Sequence, residues 1–243
     1  MRFLIPTYGR GRQLTLEYLT KAGADVTIQT QTESDRDTIR ARYAGVRVNC
    51  DTSASCLSQN ANNGLRLFGE GEIVAVLDDD VRHAIICEGG RRRKAGPEEF
   101  VRRVEALSRE MERRRADVGI GFPSNGISFR DAGSRIEENK VGSGWLMLVR
   151  VGSVWYDETL TSCEDYDMQL RVISGGGKVL RDNGMAHQSI SRTIANGRQE
   201  GGRGFYYEDD EHRKNVRTVV DRYYPLAKFA RGGRAIALNG AYL

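Results

Sequence analysis

Short apolar runs alternate with segments of helical periodicity through the first third of the chain. The runs are typical of buried strands, and they cover residues 2–6, 25–29, 46–49 and 73–77. Between them, apolar side chains recur every three or four residues, which predicts helices over residues 14–22, 34–43 and 55–68. Strands that alternate with helices form a mainly parallel sheet covered by helices. The pattern therefore predicts an α/β fold.

The pattern changes after residue 80. Pro97 followed by two glutamates is a typical helix start, and an apolar stripe follows it at Phe100, Val104, Leu107 and Met111. Further strands are predicted over residues 118–121, 127–130, 145–150 and 178–180, helices over 165–173 and 210–224, and loops over 89–96 and 197–204. The second half therefore reads as a mixed α+β extension that completes the sheet.

Composition and charge narrow the class of protein. The chain has 243 residues, 39% of them hydrophobic, and a formal net charge of +4. The basic residues are concentrated in two runs, at residues 91–94 and 113–115. The four cysteines lack C-x-x-C spacing, which argues against a zinc site or a disulfide framework. No stretch is apolar enough to span a membrane, and the apolar start is too short for a signal peptide, so we expect a cytoplasmic protein.

The strand predicted at residues 73–77 ends in three consecutive carboxylates, Asp78, Asp79 and Asp80. Adjacent anions repel one another, and a hard divalent cation such as Mg²⁺ or Mn²⁺ compensates them. Ligands of open α/β sheets bind at the carboxyl ends of the strands, where residues 6–12 also lie. The triplet predicts a site for a metal and a diphosphate, and a solvated acidic turn is the alternative.

A second acidic cluster, residues 164–167, stands where a helical pattern begins. Carboxylates there are stabilised by the helix dipole, so a helix cap is one interpretation. The other is a general base that accepts a hydroxyl proton. His187 follows a short predicted strand, where it is either a hydrogen-bonded structural residue or a metal ligand.

Together, these motifs resemble the glycosyltransferases of the GT-A fold, most closely the family-two-like members. Those enzymes open with a strand that ends in a P-x-[YF]-x-R-like loop, carry D-x-D after a hydrophobic strand and an E-D pair at a later helix start, and often place a late histidine on the metal. The matching residues, in that order, are Pro6-Thr7-Tyr8-Gly9-Arg10, Asp78-Asp79-Asp80, Glu164-Asp165 and His187. Gly142-Ser143-Gly144-Trp145 resembles the loop before the acceptor-side strand. The resemblance spans residues 1–190.

The resemblance implies a GT-A type, Rossmann-like, mainly parallel sheet flanked by helices, with a mixed α+β C-terminal extension. It implies one catalytic domain over residues 1–243. Within it, residues 1–80 form the nucleotide-binding half and residues 81–190 the acceptor and catalytic half. Residues 191–243 form a mobile loop and a C-terminal helix.

The resemblance also assigns roles to residues. The donor is a nucleotide-diphosphate sugar, expected to be a UDP-sugar, and Mn²⁺ or Mg²⁺ is held by Asp80, Asp78 and His187. The nucleotide and its phosphates are contacted from the first loop and the triplet, through Pro6, Thr7, Tyr8, Arg10, Arg12, Asp78 and Asp79. Asp165 is the first choice for the base that deprotonates the acceptor and Glu164 the second. In-line attack inverts the anomeric centre.

The arginine runs point to a polyanionic acceptor, because arginine contacts phosphate. Residues 198–203 add a third segment rich in glycine and arginine. The chain is similar to small phage-type transferases that place sugars on hydroxymethylated pyrimidines in DNA. DNA is therefore the expected acceptor, and the host cytoplasm is the expected location if the chain is viral. A protein side chain or a glycan precursor is an alternative acceptor.

Two other classes of function stay open at this stage. A metal-dependent nucleotidyltransferase would also use an α/β sheet and paired acids, but no glycine-rich signature loop stands near the amino terminus. A non-catalytic nucleic-acid-binding protein would use the arginine runs, but it would not explain both carboxylate clusters.

Overall fold

An eight-stranded sheet runs through the molecule, and the computed structural model describes residues 1–123, 135–189, 209–230 and 235–238. The strands of these ranges are β1 (Arg2–Thr7), β2 (Asp25–Thr30), β3 (Arg47–Cys50), β4 (Ile73–Leu77), β5 (Val81–Glu88), β6 (Arg91–Lys94), β7 (Val118–Gly121), β8 (Ile136–Glu138), β9 (Leu146–Arg150), β10 (Val179–Asp182), β11 (Met185–Ser189), β12 (Ala227–Ala230) and β13 (Ala235–Leu238). The helices are α1 (Leu14–Leu19), α2 (Glu33–Arg42), α3 (Leu57–Leu65), α4 (Pro97–Arg114), α5 (Glu164–Ser174) and α6 (Asp209–Arg222), and a short 3₁₀ turn, Thr20–Ala22, follows α1.

The large sheet has the order β3-β2-β1-β4-β9-β7-β10-β8. Strands β1 to β4 are parallel where they pair, β9 runs antiparallel to β4 and β7, and β8 runs antiparallel to β10. Six of the eight strands therefore point the same way. The predicted mainly parallel α/β sheet and its mixed C-terminal extension are confirmed.

Alternation along the central strands divides the core into two layers. In β1, Phe3 and Ile5 face one layer and Leu4 faces the other, and all three are fully buried. The first layer packs against α4, whose predicted stripe is buried in full. The second packs against α3 and α5. A period of two in the strands and of 3.6 in the helices produces this arrangement.

One prediction of the second half is wrong. Residues 89–96 were expected to form a loop, but they include β6, which pairs with β5 at the edge of a small three-stranded sheet of order β11-β5-β6. Gly89 and Gly90 form the two-residue turn with φ of 55° and 73°, values that favour glycine. All four side chains of β6 are exposed on this edge strand, so no apolar alternation marks it in the sequence.

The C-terminal helix α6 packs on α5 through the predicted apolar residues Val216, Val219, Val220 and Tyr223, which are all buried. The strand predicted at residues 127–130 and the loop predicted at 197–204 lie outside the described residues. Among the helices that are described, none has both the length and the apolar composition needed to cross a membrane.

Candidate active site

A cavity of about 250 Å³ opens at the carboxyl edge of the large sheet, where β1 and β4 end side by side. Its walls come from seven parts of the chain: the β1 end, the β4 end, α3, the loop before β9, the irregular segment that carries Tyr156 and Thr161, the start of α5, and β11. The predicted site residues that line it are Pro6, Thr7, Tyr8, Arg10, Asp78, Asp79, Asp80, Glu164, Asp165 and His187. The fold therefore brings ten of the eleven predicted residues to one place.

The remaining predicted residue, Arg12, lies elsewhere. Its guanidinium pairs with Glu17 at 3.0 Å, its side chain is 61% exposed, and it does not line the cavity. The next residue, Gln13, is fully buried and points inward instead. The first loop therefore contributes Arg10 and the backbone around it to the cavity.

Asp79 accepts two side-chain hydrogen bonds from the first loop. Thr7 Oγ1 donates to Asp79 Oδ2 at 2.6 Å, and Arg10 Nη1 donates to Asp79 Oδ1 at 2.7 Å. Gln13 Nε2 donates to Thr7 Oγ1 at 3.0 Å and fixes the hydroxyl behind the carboxylate. Burial raises the pKa of Asp79 to about 6, against the opposing effects of Arg10 and Thr7. Asp79 is thus an anchor for the first loop.

Asp78 and Asp80 differ from Asp79 in their surroundings. Asp78 is exposed at the cavity rim, and Asp80 is 9% exposed with Arg10 Nη1 at 3.5 Å from its Oδ2. Within the described ranges, no three acidic, histidine or cysteine side chains are close enough together to hold a metal on their own. A Mg²⁺-type site needs only one or two carboxylates, since water and substrate phosphates complete its shell. Asp78 and Asp80 fit that requirement.

His187 lies on β11, which the sequence patterns did not predict as a strand. Its ring stacks on Trp145 with centroids 4.6 Å apart and planes 19° from parallel. Trp145 is itself fixed, because its Nε1 donates to the carbonyl of Phe122 at 2.9 Å. The imidazole is therefore held flat against Trp145 at the cavity.

Asp165 is held by the backbone in the wall that the start of α5 and the loop before β9 form. Its Oδ2 accepts from Gly144 N at 2.7 Å, and its Oδ1 accepts from Tyr166 N at 2.8 Å. A Cβ on Gly144 would come within 2.9 Å of Asp165 Cβ, so glycine permits this approach. Cys163, just before the helix, has φ of 63°, a strained value for a non-glycine residue. Strain of this kind concentrates at functional sites.

Burial shifts the pKa of both acids at this wall upward. Desolvation raises the pKa of Glu164, and repulsion from Asp165 adds to it. Desolvation also raises the pKa of Asp165, which the N–H groups of Gly144 and Tyr166 partly oppose. A carboxylate with a raised pKa is a better proton acceptor near neutral pH. A carboxylate has about four lone-pair sites, so two backbone bonds leave Asp165 able to accept a proton.

Several cavity residues carried no sequence signal. Tyr156 is 7% exposed on an irregular segment, and its hydroxyl contacts the thioether of Met147 at 3.6 Å. Ser58 and Ala61 belong to α3. Their place at the cavity could have been expected, because that helix follows a parallel strand. His212 of α6 lies 3.1 Å from the hydroxyl of Ser162, which supports the loop before α5.

The basic runs differ in how they are neutralised. On β6, Arg91, Arg92 and Lys94 are exposed, and Arg93 pairs with Glu88 and Glu99. On α4, Arg113 and Arg114 both pair with Glu110, which neutralises part of the positive charge of that run. The third basic segment, residues 198–203, lies outside the described residues.

Comparison with known proteins gives the fold a name. No family model and no curated protein matches the chain. The structure of GalNAc-T7 with UDP, GalNAc and Mn²⁺ is similar with a TM-score of 0.54, at 14% identity, over 90% of this chain and 48% of that one. The chain has a GT-A-like, Rossmann-like α/β fold. It spans about half the length of GalNAc-T7. CMP:2-keto-3-deoxy-manno-octonic acid synthetase with CTP is less similar, with a TM-score of 0.46 at 13% identity over 74% of this chain and 87% of that one.

Proposed function

We propose that this protein is a metal-dependent glycosyltransferase that moves a sugar from a nucleotide-diphosphate sugar to a hydroxyl acceptor with inversion. The observation that carries the proposal is the cavity itself. Its lining includes two acidic clusters, the aspartate triplet after β4 and the Glu164–Asp165 pair at the start of α5. In this proposal the first is the donor wall and the second is the acceptor wall, because a donor diphosphate and an acceptor hydroxyl need different chemistry. Residues 1–243 would act as one catalytic domain, with the donor half in residues 1–80.

The donor wall supplies binding for a diphosphate. Asp80, with Asp78 or His187 as a second protein ligand, would hold Mn²⁺ or Mg²⁺, and water and diphosphate oxygens would complete the shell. The cation would neutralise charge on the departing diphosphate as a Lewis acid. Arg10 lies at the cavity beside the triplet, and its planar fork matches phosphate oxygens. Pro6, Thr7 and Tyr8 line the neighbouring surface. In this proposal a UDP-sugar is the donor, as bound UDP in GalNAc-T7 suggests.

The acceptor wall supplies the base. Asp165 would take the proton of the attacking hydroxyl, because two backbone N–H groups orient its carboxylate toward a fixed position. Glu164 lines the same wall and is the second candidate. The deprotonated hydroxyl would attack the anomeric carbon in line with the departing diphosphate, and such a displacement inverts that carbon.

The acceptor we propose is a hydroxymethylated pyrimidine in DNA, as in phage-type transferases. Its support is the exposed charge of Arg91–Lys94, which suits a phosphate backbone. A base inside a duplex is out of reach of a cavity, so the enzyme would flip it out of the stack. The residues of β6 would hold the backbone without reading the sequence.

The donor half is tested by thermal shift. Nucleotide sugars are screened with Mn²⁺ and with chelator, because specific binding raises the melting temperature by mass action. A shift that requires both a nucleotide sugar and the cation is expected. A shift with a nucleoside triphosphate and a sugar 1-phosphate, followed by release of pyrophosphate, would instead identify a nucleotidyltransferase.

The acceptor is tested separately. The protein is incubated with nucleotide sugars and a duplex that contains hydroxymethylcytosine, and the digested nucleosides are weighed by mass spectrometry. A hexose or pentose adduct is expected. Transfer to a protein or glycan acceptor without any nucleoside adduct would reject DNA while leaving the glycosyltransferase proposal intact.

Salt dependence tests the role of β6. DNA affinity should fall with a log–log slope of about −0.9 for each phosphate contacted. Replacing Arg91 and Arg92 by glutamate should flatten that slope and leave hydrolysis of the donor unchanged. The matched control is Arg113→Glu, since that arginine is already paired on α4. Equal loss in both variants would contradict a specific role for β6.

A further inference from the structure

Arg10 lies between two carboxylates of the triplet at the donor wall. Its Nη1 donates to Asp79 Oδ1 at 2.7 Å and stands 3.5 Å from Asp80 Oδ2. The first distance is a charge-assisted hydrogen bond, and the second exceeds the length of one. Among the described residues, Arg10 is the cation that pairs with both acids. One strong and one loose contact make the arrangement asymmetric.

The strong contact, between Arg10 and Asp79, is supported by further hydrogen bonds. Asp79 accepts the hydroxyl of Thr7 on its other oxygen, and Gln13 holds that hydroxyl in turn. Gln13 Nε2 also donates to the carbonyl of Arg10 at 2.6 Å, which ties the loop backbone to the same network. The anchor at Asp79 can therefore persist while the guanidinium tilts away from Asp80.

We propose that Arg10 holds the place of the divalent cation beside Asp80 in the metal-free protein and turns to the donor diphosphate when the cation binds. The inference rests on the proposed function, which places the cation on Asp80. A cation ligated by Asp80 would lie a few ångströms from a guanidinium that keeps its present position. Two positive charges at that separation repel strongly at a partly buried site.

A diphosphate removes this conflict. Its oxygens carry negative charge that both the cation and the guanidinium can approach, so repulsion becomes a shared attraction. The arginine fork fits two phosphate oxygens at once. The cation and the diphosphate should therefore bind with positive coupling, and each should raise the affinity of the other by the same factor. The cation alone should bind weakly.

A purely structural role for Arg10 predicts a different result. If the guanidinium only neutralises Asp79 and keeps the cavity in shape, its removal should weaken binding of the cation and of the diphosphate together. The placeholder role predicts that removal changes the affinities for the cation and for the diphosphate in opposite directions. Removal relieves the repulsion that opposes the cation and deletes a contact to the diphosphate.

The test uses the full chain, with Mn²⁺ followed by electron paramagnetic resonance and inorganic pyrophosphate as the diphosphate probe. Arg10→Gln should bind Mn²⁺ alone about tenfold more tightly than the wild type. With Mn²⁺ saturating, it should bind pyrophosphate at least about tenfold more weakly. The matched control is Arg47→Gln, which removes the same charge at the opposite edge of the sheet, where Arg47 pairs with Asp25. It should change neither affinity.

The outcomes separate this inference from its premise. Unchanged or weaker Mn²⁺ binding in Arg10→Gln overturns the placeholder role. Wild-type protein that binds no Mn²⁺, with or without pyrophosphate, rejects the metal site of the proposed function and the inference with it. If Arg10→Gln does not fold, Arg10→Lys keeps the charge and loses the fork. That variant should bind Mn²⁺ within about twofold of wild type and pyrophosphate more weakly, and a marked loss of Mn²⁺ affinity overturns the inference.

Discussion

The two acidic clusters look alike in sequence and are used differently by the fold. Each contains a carboxylate that accepts hydrogen bonds from several side chains of the protein. In the first cluster it is Asp79, bound by Thr7 and Arg10. In the second it is Asp167, whose side chain is fully buried and accepts from Arg171, Arg222 and Tyr223.

The difference lies in what these inner carboxylates hold. Asp79 fixes a loop at the cavity, so its network serves the donor wall. Asp167 joins α5 to α6 and faces away from the cavity, so its network serves stability. The other acids of both clusters, Asp78, Asp80, Glu164 and Asp165, line the cavity. Adjacent carboxylates in a sequence can therefore divide between structural and chemical work.

Removal of the base should have the largest effect. Asp165→Asn keeps the shape of the side chain and its contact with Gly144 N, but it loses the proton acceptor. Turnover should fall by about 10²–10⁴-fold while donor affinity stays within a few fold. Single-turnover kinetics with calorimetry of the donor checks this. Glu164→Gln is the companion variant and should lose less; the reverse order would exchange the two roles.

Asp167 should matter most for stability. Asp167→Asn leaves two arginines without their shared anion and should lower the free energy of unfolding by about 3 kcal/mol, the lower end for a broken buried pair. The lower end applies because Arg171 and Arg222 are 41% and 37% exposed and can reach water. Urea denaturation measures the change. An unaltered midpoint would show that α5 and α6 hold together without this network.

Asp80, unlike Asp167, should matter for metal binding and not for stability. Asp80→Asn should reduce Mn²⁺-dependent binding of a nucleoside diphosphate by about 100-fold, the upper end for loss of a residue that supports a metal. Its stability should change little, since Asp80 is opposed by one arginine and repelled by its neighbours. Calorimetry with Mn²⁺ and with chelator gives the affinity, and thermal unfolding gives the stability. Equal affinity in the variant and the wild type would remove the metal from this wall.

His187 should have the smallest effect of the four. His187→Ala should weaken Mn²⁺ binding by about tenfold and should affect the nucleotide little when the metal is in excess. His187→Phe is the matched variant, because it keeps the ring against Trp145 and loses the nitrogen. If the phenylalanine variant binds Mn²⁺ as well as wild type does, the histidine serves packing only.

The sequence predicted most elements where their periodicity was unbroken. The strand at Ile73–Leu77 and the apolar stripe of α4 follow the expected pattern. Burial on both faces leaves a continuous apolar run in the strand, and burial on one face leaves a regular stripe in the helix. The sequence missed β6, whose four basic side chains on an exposed edge leave no such trace. It also missed Tyr156, which belongs to no regular element and acquires its place only when the walls meet.

By itself, the sequence determined the alternation of strands and helices and the placing of both acidic clusters at element ends. Those features are local, since each depends on residues within one turn or one strand. The tertiary structure alone decided which acids face the cavity. Asp79 and Asp167 are bound by residues that are distant in sequence. Thr7 is 72 residues from Asp79, and Arg222 is 55 residues from Asp167. No local pattern encodes such pairs, because they form only when distant elements pack together.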